Sequence, residues 1–431
     1  MKLTSTAVAL ALASAALMSA NSVAAQDYGQ PPSPPSAAEP QTPPTAAKPP
    51  EKAPGFTPTV SNGARKQIAA LQEAVNAKDA ARIAAALPAA REKAKTKDDH
   101  YVIAQLQLKA AVDAKDEPGM IAGLEAVLAS GALPPADALL TRMDLGKIYY
   151  NAKSYDRAAT AFEQVLADNP NNVEALVILA ETRNNQGRTP DAISTIQRAI
   201  SARSAAGQKA DEAWYKRAVA LSYNAKLPTA PSLAREWVAA YPSPKNWRDA
   251  IRIYQTSSQM DDASLIDSMR LARAVGALQG ENDYFRYANT LVTKGFAGEA
   301  KAVLDEGFAS KAIDRSRATF SQLYTLASGR SQGDRATLAA SATAARADAD
   351  AKKAMTTAEA YYGYGDYREA AELLRDALTK GGVDKDLANL RLGMALARAG
   401  DKAGATAALN AAGGAQADVA KLWLTYLQTK A

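Results

Sequence analysis

His100 is the only histidine among 431 residues, and the chain has no cysteine. A nucleophile–histidine–acid relay, or a metal held by imidazole, would have to use that one ring. It lies in "TKDDHYVIAQL" beside Asp98 and Asp99, where a helix is expected to begin, and it reads as a helix-entry residue near favourable N-terminal dipoles. Without cysteine there is no disulfide, thiolate metal site, thiol nucleophile or lipid-anchored N-terminal cysteine. Carboxylates remain: Asp116 with Glu117, Asp261 with Asp262, Asp305 with Glu306, and Asp348 with Asp350. Glycan cleavage needs two carboxylates about 5–10 Å apart across a cleft. Most of these pairs instead fall at turns and helix starts, where acids cap exposed amides. No glycine-rich phosphate loop follows a strand, because no strand is readable. No catalytic residue, metal ligand or cofactor is expected.

The elements that would position any site are helical. Alanine dominates the chain and aromatics make up only 6%; alanine loses no side-chain entropy in a helix and lets helices approach closely. A chain of this length exceeds one core and suggests several domains or a repeat array. The net charge is +6, or +5 without Lys2, the one charge in residues 1–25. Basic and acidic residues are interspersed, which reads as a solvated mixed surface and excludes a nucleic-acid partner from the expectations.

Residues 1–25 have a basic start at Lys2, an apolar run from Ala7 to Met18, and small residues Val23, Ala24 and Ala25. This is the three-part pattern of a cleaved secretory signal. The run is short for a membrane span, which needs about 20 apolar residues, and no later segment is apolar enough, so the mature chain is expected to have no transmembrane segment. Export to a periplasm is expected, with secretion as the alternative. Residues 26–60 form a disordered proline-rich linker, because "PPSPPSAAEPQTPPTAAKPPEKAPGFTP" holds 11 of the 21 prolines and proline donates no amide hydrogen bond and fixes φ.

From Ser61 onward, amphipathic helical patterns of about 12–15 residues alternate with turns such as "NAKD", "NAKSYD", "NQGRTPD", "KGFAGE" and "AGDKAG". In "LGKIYYNAKSYDRAATAFEQVLADNP", Leu145, Gly146, Tyr149, Ala158, Phe162 and Pro170 recur at spacings met again as Leu392, Gly393, Gly400, Ala405 and Leu409, and as Ala358, Tyr361, Gly365, Ala370 and Leu374. Small residues at these points let the two helices of a pair approach, and the large ones fill the space that remains.

These segments resemble the tetratricopeptide repeat, a helix–turn–helix unit of about 34 residues. The resemblance is specific at 139–172, 173–206, 351–385 and 386–412. It is moderate at 211–244 and 281–310, and it reduces to helix-pair length at 61–97, 98–135, 245–278 and 316–348. It implies an all-α fold, a right-handed alpha-solenoid of antiparallel helix pairs. The expected organisation is divergent pairs over 61–138, repeats over 139–244, divergent pairs over 245–350, repeats over 351–412 and a C-terminal capping helix over 413–431.

The resemblance also implies a concave groove lined by the first helix of each pair. Carried over, the lining is Met143, Lys147, Tyr150 and Asn151; then Val177, Glu181, Asn184 and Asn185; then Tyr215, Val219, Ser222 and Tyr223. Weaker carry-over adds Phe285, Asn289, Met355, Glu359 and Tyr362. Tyrosine and asparagine suit a partner peptide or helix. The implied function is a non-catalytic, exported protein-interaction scaffold in envelope assembly or export. The alternatives are a glycan-associated structural protein of the cell wall and a glycan-cleaving enzyme with a helical superhelix. Partner and oligomeric state are not readable.

Overall fold

The structure is a computed structural model, and it describes residues 56–257 and 260–430. The expected signal segment and the proline-rich residues before 56 lie outside the described residues. The described chain is all-α: no strand occurs among these residues, and helices alternate with short turns throughout. Two compact units are distinguished, one ending at Thr195 and the other beginning at Ile196.

The first unit holds α1 (Arg65–Asn76), α2 (Ala80–Lys93), α3 (Lys97–Ala114), α4 (Glu117–Ala129), α5 (Pro135–Asn151), α6 (Tyr155–Asp168), α7 (Val173–Asn185) and the start of α8 (Thr189–Ala205). From α1 to α7 each helix packs on the next, and α1 with α3 and α5 with α7 touch as neighbouring first helices. The repeat spacing has the cause inferred from it. A Cβ placed on Gly146 would stand 2.7 Å from Cε1 of Phe162, so only glycine lets α5 lie this close to α6. Residues 56–60, expected to belong to the disordered linker, and Ser61 after them instead dock onto α3. Phe56 meets Tyr101 edge-on at 5.1 Å, and Asp99 accepts from the amides of Ser61, Lys95 and Thr96 and from the Ser61 hydroxyl. Burial alone would raise the Asp99 carboxyl, but these donors together hold it well below the usual carboxylate range.

Turns inside the pairs need a left-handed residue to end the first helix. Gly187, Gly295, Gly365 and Gly400 serve in four of them, and lysines 78, 115, 153 and 226 in others. Every non-glycine residue at positive φ among the described residues is a lysine. That conformation costs an L-residue roughly 1–2 kcal/mol. Placing the cation at the negative end of the preceding helix dipole recovers about 0.3–1 kcal/mol of it.

The second unit continues with α9 (Glu212–Asn224), α10 (Ala230–Ala240), α11 (Pro244–Ser257), α12 (Asp262–Ala274), α13 (Gly280–Thr293) and α14 (Ala297–Ala309). Then come α15 (Ala318–Ala347), α16 (Ala351–Gly363), α17 (Tyr367–Lys380), α18 (Lys385–Ala399), α19 (Lys402–Ala411), a 3-10 turn (Gly414–Gln416) and α20 (Ala417–Thr429). The expected pair over 316–348 is a single helix, α15, of 30 residues. "SGRSQGD" has turn composition, but the buried stripe Phe320, Leu323, Ala327, Ser331, Leu338, Ala342 and Ala345 passes through it in unbroken helical register. Replacing Gly329 and Gly333 together by alanine should therefore raise stability by about 0.5–1 kcal/mol per site, since nothing stands within 4 Å of either added Cβ. A thermal melt followed by circular dichroism checks this; a lowered midpoint would mean a turn lies there.

One helix in place of two reverses the order of layers. Second helices of the early pairs meet first helices of the late ones: α14 packs on α16, α12 reaches α16 and α18 through ion pairs, and the terminal α20 packs on α10, α12 and α18. The second unit is thus two stacks laid face to face.

Candidate partner-binding face and the buried charge cluster

In the first unit, α5 buries Thr141, Met143, Leu145, Gly146, Ile148 and Tyr149 and leaves a stripe that runs Leu140, Asp144, Lys147, Asn151. Lys147 Nζ lies 2.7 Å from Glu174 Oε1 at the start of α7. Tyr150 is half-buried and edge-on to Tyr155 at 5.9 Å, and Asn185 Nδ2 donates to its hydroxyl at 3.3 Å. Val177, Glu181 and Asn184 on α7 are half-buried, while Asn151 and Asn185 are exposed. Two cross-helix contacts thus join α5 and α7 into one surface of amide, aromatic and charged groups. Asp144 on this face is raised by burial, with Glu174 adding to the effect and Lys147 opposing it.

Met143 does not belong to that surface. It is 4% exposed, because the stripe through Lys147 places residue 143 on the packed side of α5. Leu140, 55% exposed, and Asp144 take the surface positions instead. They were readable by stepping back seven and three residues from Lys147 along a helix.

In the second unit, Val219 and Ser222 are buried, and Ser222 Oγ pairs with Thr229 Oγ1 at 2.8 Å across the turn of its helix pair. Neither presents a surface to a partner. Tyr215 is half-buried against Tyr241, with ring centroids 5.9 Å apart. Tyr223, Phe285 and Asn289 are exposed, and Met355 is half-buried. Glu359 and Tyr362 are buried, because the face-to-face stacking turns this side of α16 inward.

That interior holds five charges from four helices, which the sequence did not bring together. Arg270 of α12 donates Nε and Nη2 to Glu299 of α14, at 3.0 and 2.7 Å, and Nη1 to Asp267 at 3.1 Å. Its Nη2 also lies 2.8 Å from Glu359 Oε2. Arg391 of α18 places Nε 3.2 Å from Glu359 Oε1 and 3.5 Å from Asp267 Oδ2. The Tyr287 hydroxyl donates to Glu299 at 2.6 Å, and the Arg270 guanidinium lies 4.4 Å from the centre of the Tyr362 ring. Asp267 is fully buried, and none of the five is more than 9% exposed.

Of the other acid pairs, Asp116 starts α4 without a side-chain cap hydrogen bond, and Asp305 and Glu306 lie within α14 and not at a turn. Asp261 and Asp350 cap α12 and α16. Asp262 pairs with Lys294, Asp305 with Lys301, and Glu306 with Arg273. His100 stands exposed in the first turn of α3, whose start is a Thr96–Asp99 capping box. No group of three or more His, Asp or Glu among the described residues is placed to hold a metal ion. No helix among them is long and apolar enough to cross a membrane.

A family model described as "Tetratricopeptide repeat" matches residues 143–208 and 355–419. Among solved structures, the chain is similar to MamA of AMB-1, at 17% identity over 47% of this chain and 100% of that one, with a TM-score of 0.22. It is similar to a tetratricopeptide repeat protein from Parabacteroides merdae, at 13% identity over 76% of this chain and 99% of that one, with a TM-score of 0.28. A third is Naa15/Naa10 bound to HypK-THB, at 13% identity, 82% and 69% coverage and a TM-score of 0.28. No curated protein matches.

Proposed function

Since the chain is a tetratricopeptide-repeat protein, we propose that it is a non-catalytic scaffold that binds a partner peptide or helix on the α5–α7 face of its first unit. The observation that carries the reading is the joined surface of Lys147, Tyr150, Asn151, Val177, Asn184 and Asn185, which remains outside the packed interior. Asparagine amides can bond a ligand backbone, and tyrosine supplies contact area at small entropic cost. The corresponding row of the second unit is partly consumed by packing at Val219 and Ser222, which leaves the first unit as the more complete face. We place the protein in the periplasm, on the support of the N-terminal signal pattern, and assign it to envelope assembly or export by analogy with exported repeat scaffolds.

A photo-crosslinking residue at Asn151 tests the face, with Gln164, exposed on α6, as the control. One dominant protein adduct at Asn151 and none at Gln164 is the expected result, and its loss in Tyr150→Ala/Asn185→Ala supports the same surface. Equal adducts at both sites, or adducts to glycan alone, would reject the face as a peptide site. Export is checked separately, by finding the chain in the periplasmic fraction shortened by its first 25 residues.

A further inference from the structure

We propose that the five-charge cluster in the second unit is a proton-binding site, with one proton held on Asp267, and that the packing of the unit's two stacks is thereby linked to pH. The argument begins with charge. Asp267, Glu299 and Glu359 supply three negative charges; Arg270 and Arg391 supply two positive ones. All five lie in the interior, where an uncompensated charge is costly and a carboxyl gives way by taking a proton. One bound proton makes the cluster neutral.

Geometry names the carboxyl. Glu299 accepts from Tyr287 and from two nitrogens of Arg270. Glu359 has Arg270 at 2.8 Å and Arg391 at 3.2 Å, a close guanidinium for each oxygen, although Oε2 makes no aligned hydrogen bond and is held by charge alone. Asp267 is the least supported. Its Oδ1 accepts from Arg270 Nη1 at 3.1 Å, while its Oδ2 has no hydrogen-bond partner and only Arg391 Nε nearby, at 3.5 Å. Around it stand Arg270 on its own helix, Tyr254 of α11, Glu299 of α14, Glu359 of α16 and Arg391 of α18, while Tyr287 of α13 and Tyr362 of α16 border Glu299 and Arg270. The titration directions agree with the geometry. Burial raises Asp267, with Glu359 and Glu299 adding to it against the two arginines. Glu359, under the same burial, is pulled down by Arg270 and Arg391. A cavity of about 270 Å³ between α14, α15 and α16 is lined by Glu299 and Glu359 together with Lys294, Asp334 and Thr357, and gives the cluster an approach from solvent.

The sign follows. In the unfolded chain Asp267 ionises above about pH 4; in the packed unit it keeps its proton to higher pH. The folded unit therefore holds one more proton over that interval. Its stability is full below the unfolded value and falls as pH rises through the folded one, with the unfolding constant growing up to about tenfold per pH unit.

The chain reports this unit by itself, because all four tryptophans, at 214, 237, 247 and 423, lie in it. The experiment is urea unfolding of the full-length protein by tryptophan fluorescence from pH 5 to 9, for the wild type and Asp267→Asn. The wild type is expected to lose stability with rising pH relative to the variant, which carries no titrating group at this position. Infrared difference spectra at pH 7 should show the band of a protonated carboxylic acid in the wild type and its loss in Asp267→Asn. Glu359→Gln, which leaves two acids against two arginines, is the second variant and should likewise flatten the pH dependence if Asp267→Asn fails to fold. Parallel pH profiles for wild type and variants, or loss of a carboxylate band where the acid band is expected, would overturn the proposal. So would a dependence on sodium or potassium concentration in place of pH, since a metal cation would then be the missing charge.

Discussion

Arg270→Ala is expected to destabilise the second unit by about 3–5 kcal/mol, the cost of removing one partner from a buried ion network. The side chain is 2% exposed and touches three carboxylates. Its removal leaves those acids against Arg391 alone, and leaves the face of Tyr362 without the guanidinium now 4.4 Å from its centre. Arg270→Lys should restore little. Lysine offers a point charge, whereas Arg270 uses a planar fork on Glu299 while one of its nitrogens also reaches Glu359. Urea unfolding followed by tryptophan fluorescence measures the loss, and far-ultraviolet circular dichroism follows the first unit alongside. Arg375→Ala is the surface control in the same unit. Arg375 pairs with Glu372 in an exposed position, where a salt bridge is worth about 0–1 kcal/mol. A change of less than about 1 kcal/mol for Arg270→Ala would mean that the cluster does not hold the two stacks together.

Trp423→Ala should have a comparable effect through packing alone, about 3–5 kcal/mol. Trp423 is fully buried, meets Tyr426 edge-on at 5.6 Å, and sits on α20 between the early and the late helices of the unit. Its indole nitrogen has no hydrogen-bond partner, so part of the burial energy is already offset by a donor lost from water. Trp423→Phe, which removes that donor and keeps a ring, is therefore expected to cost much less than alanine. Hydrogen exchange localises the result: amides of α20, α10 and α12 should lose protection together in Trp423→Ala. Loss confined to α20 would show a helix that merely lies on the surface.

The repeat at 139–172 was legible because its signature is local. Gly146 and Phe162 answer one contact, and both lie within one helix pair. The character of 316–348 was not. Two glycines among serine, glutamine and aspartate have turn composition, whereas the deciding feature is an apolar stripe whose register never shifts. The groove lining was legible as a helix face but not as a set of exposed residues. Exposure at Val219 or Glu359 depends on which helix arrives from elsewhere in the chain, and composition says nothing about that. The cluster left one trace. "LIDSMRLARA" in α12 and "LRLGMALA" in α18 are helices buried almost all round, and each carries charge inside that run. A charge in such a helix must find an opposite one, though the sequence does not say where.

The long helix α15 constrains how this chain could lengthen or shorten over generations. Gaining or losing a complete hairpin keeps every later element on its original side, so whole-repeat duplication is a neutral kind of edit. Gaining or losing half a hairpin is not. A turn introduced within α15 would invert all that follows, carrying Glu359 and Arg391 to the outer side and leaving Asp267, Arg270 and Glu299 to face a different set of side chains. In this molecule the parity of the helix count decides which charges meet, and it is set by a helix that, among the described residues, contributes no ion pair to the cluster.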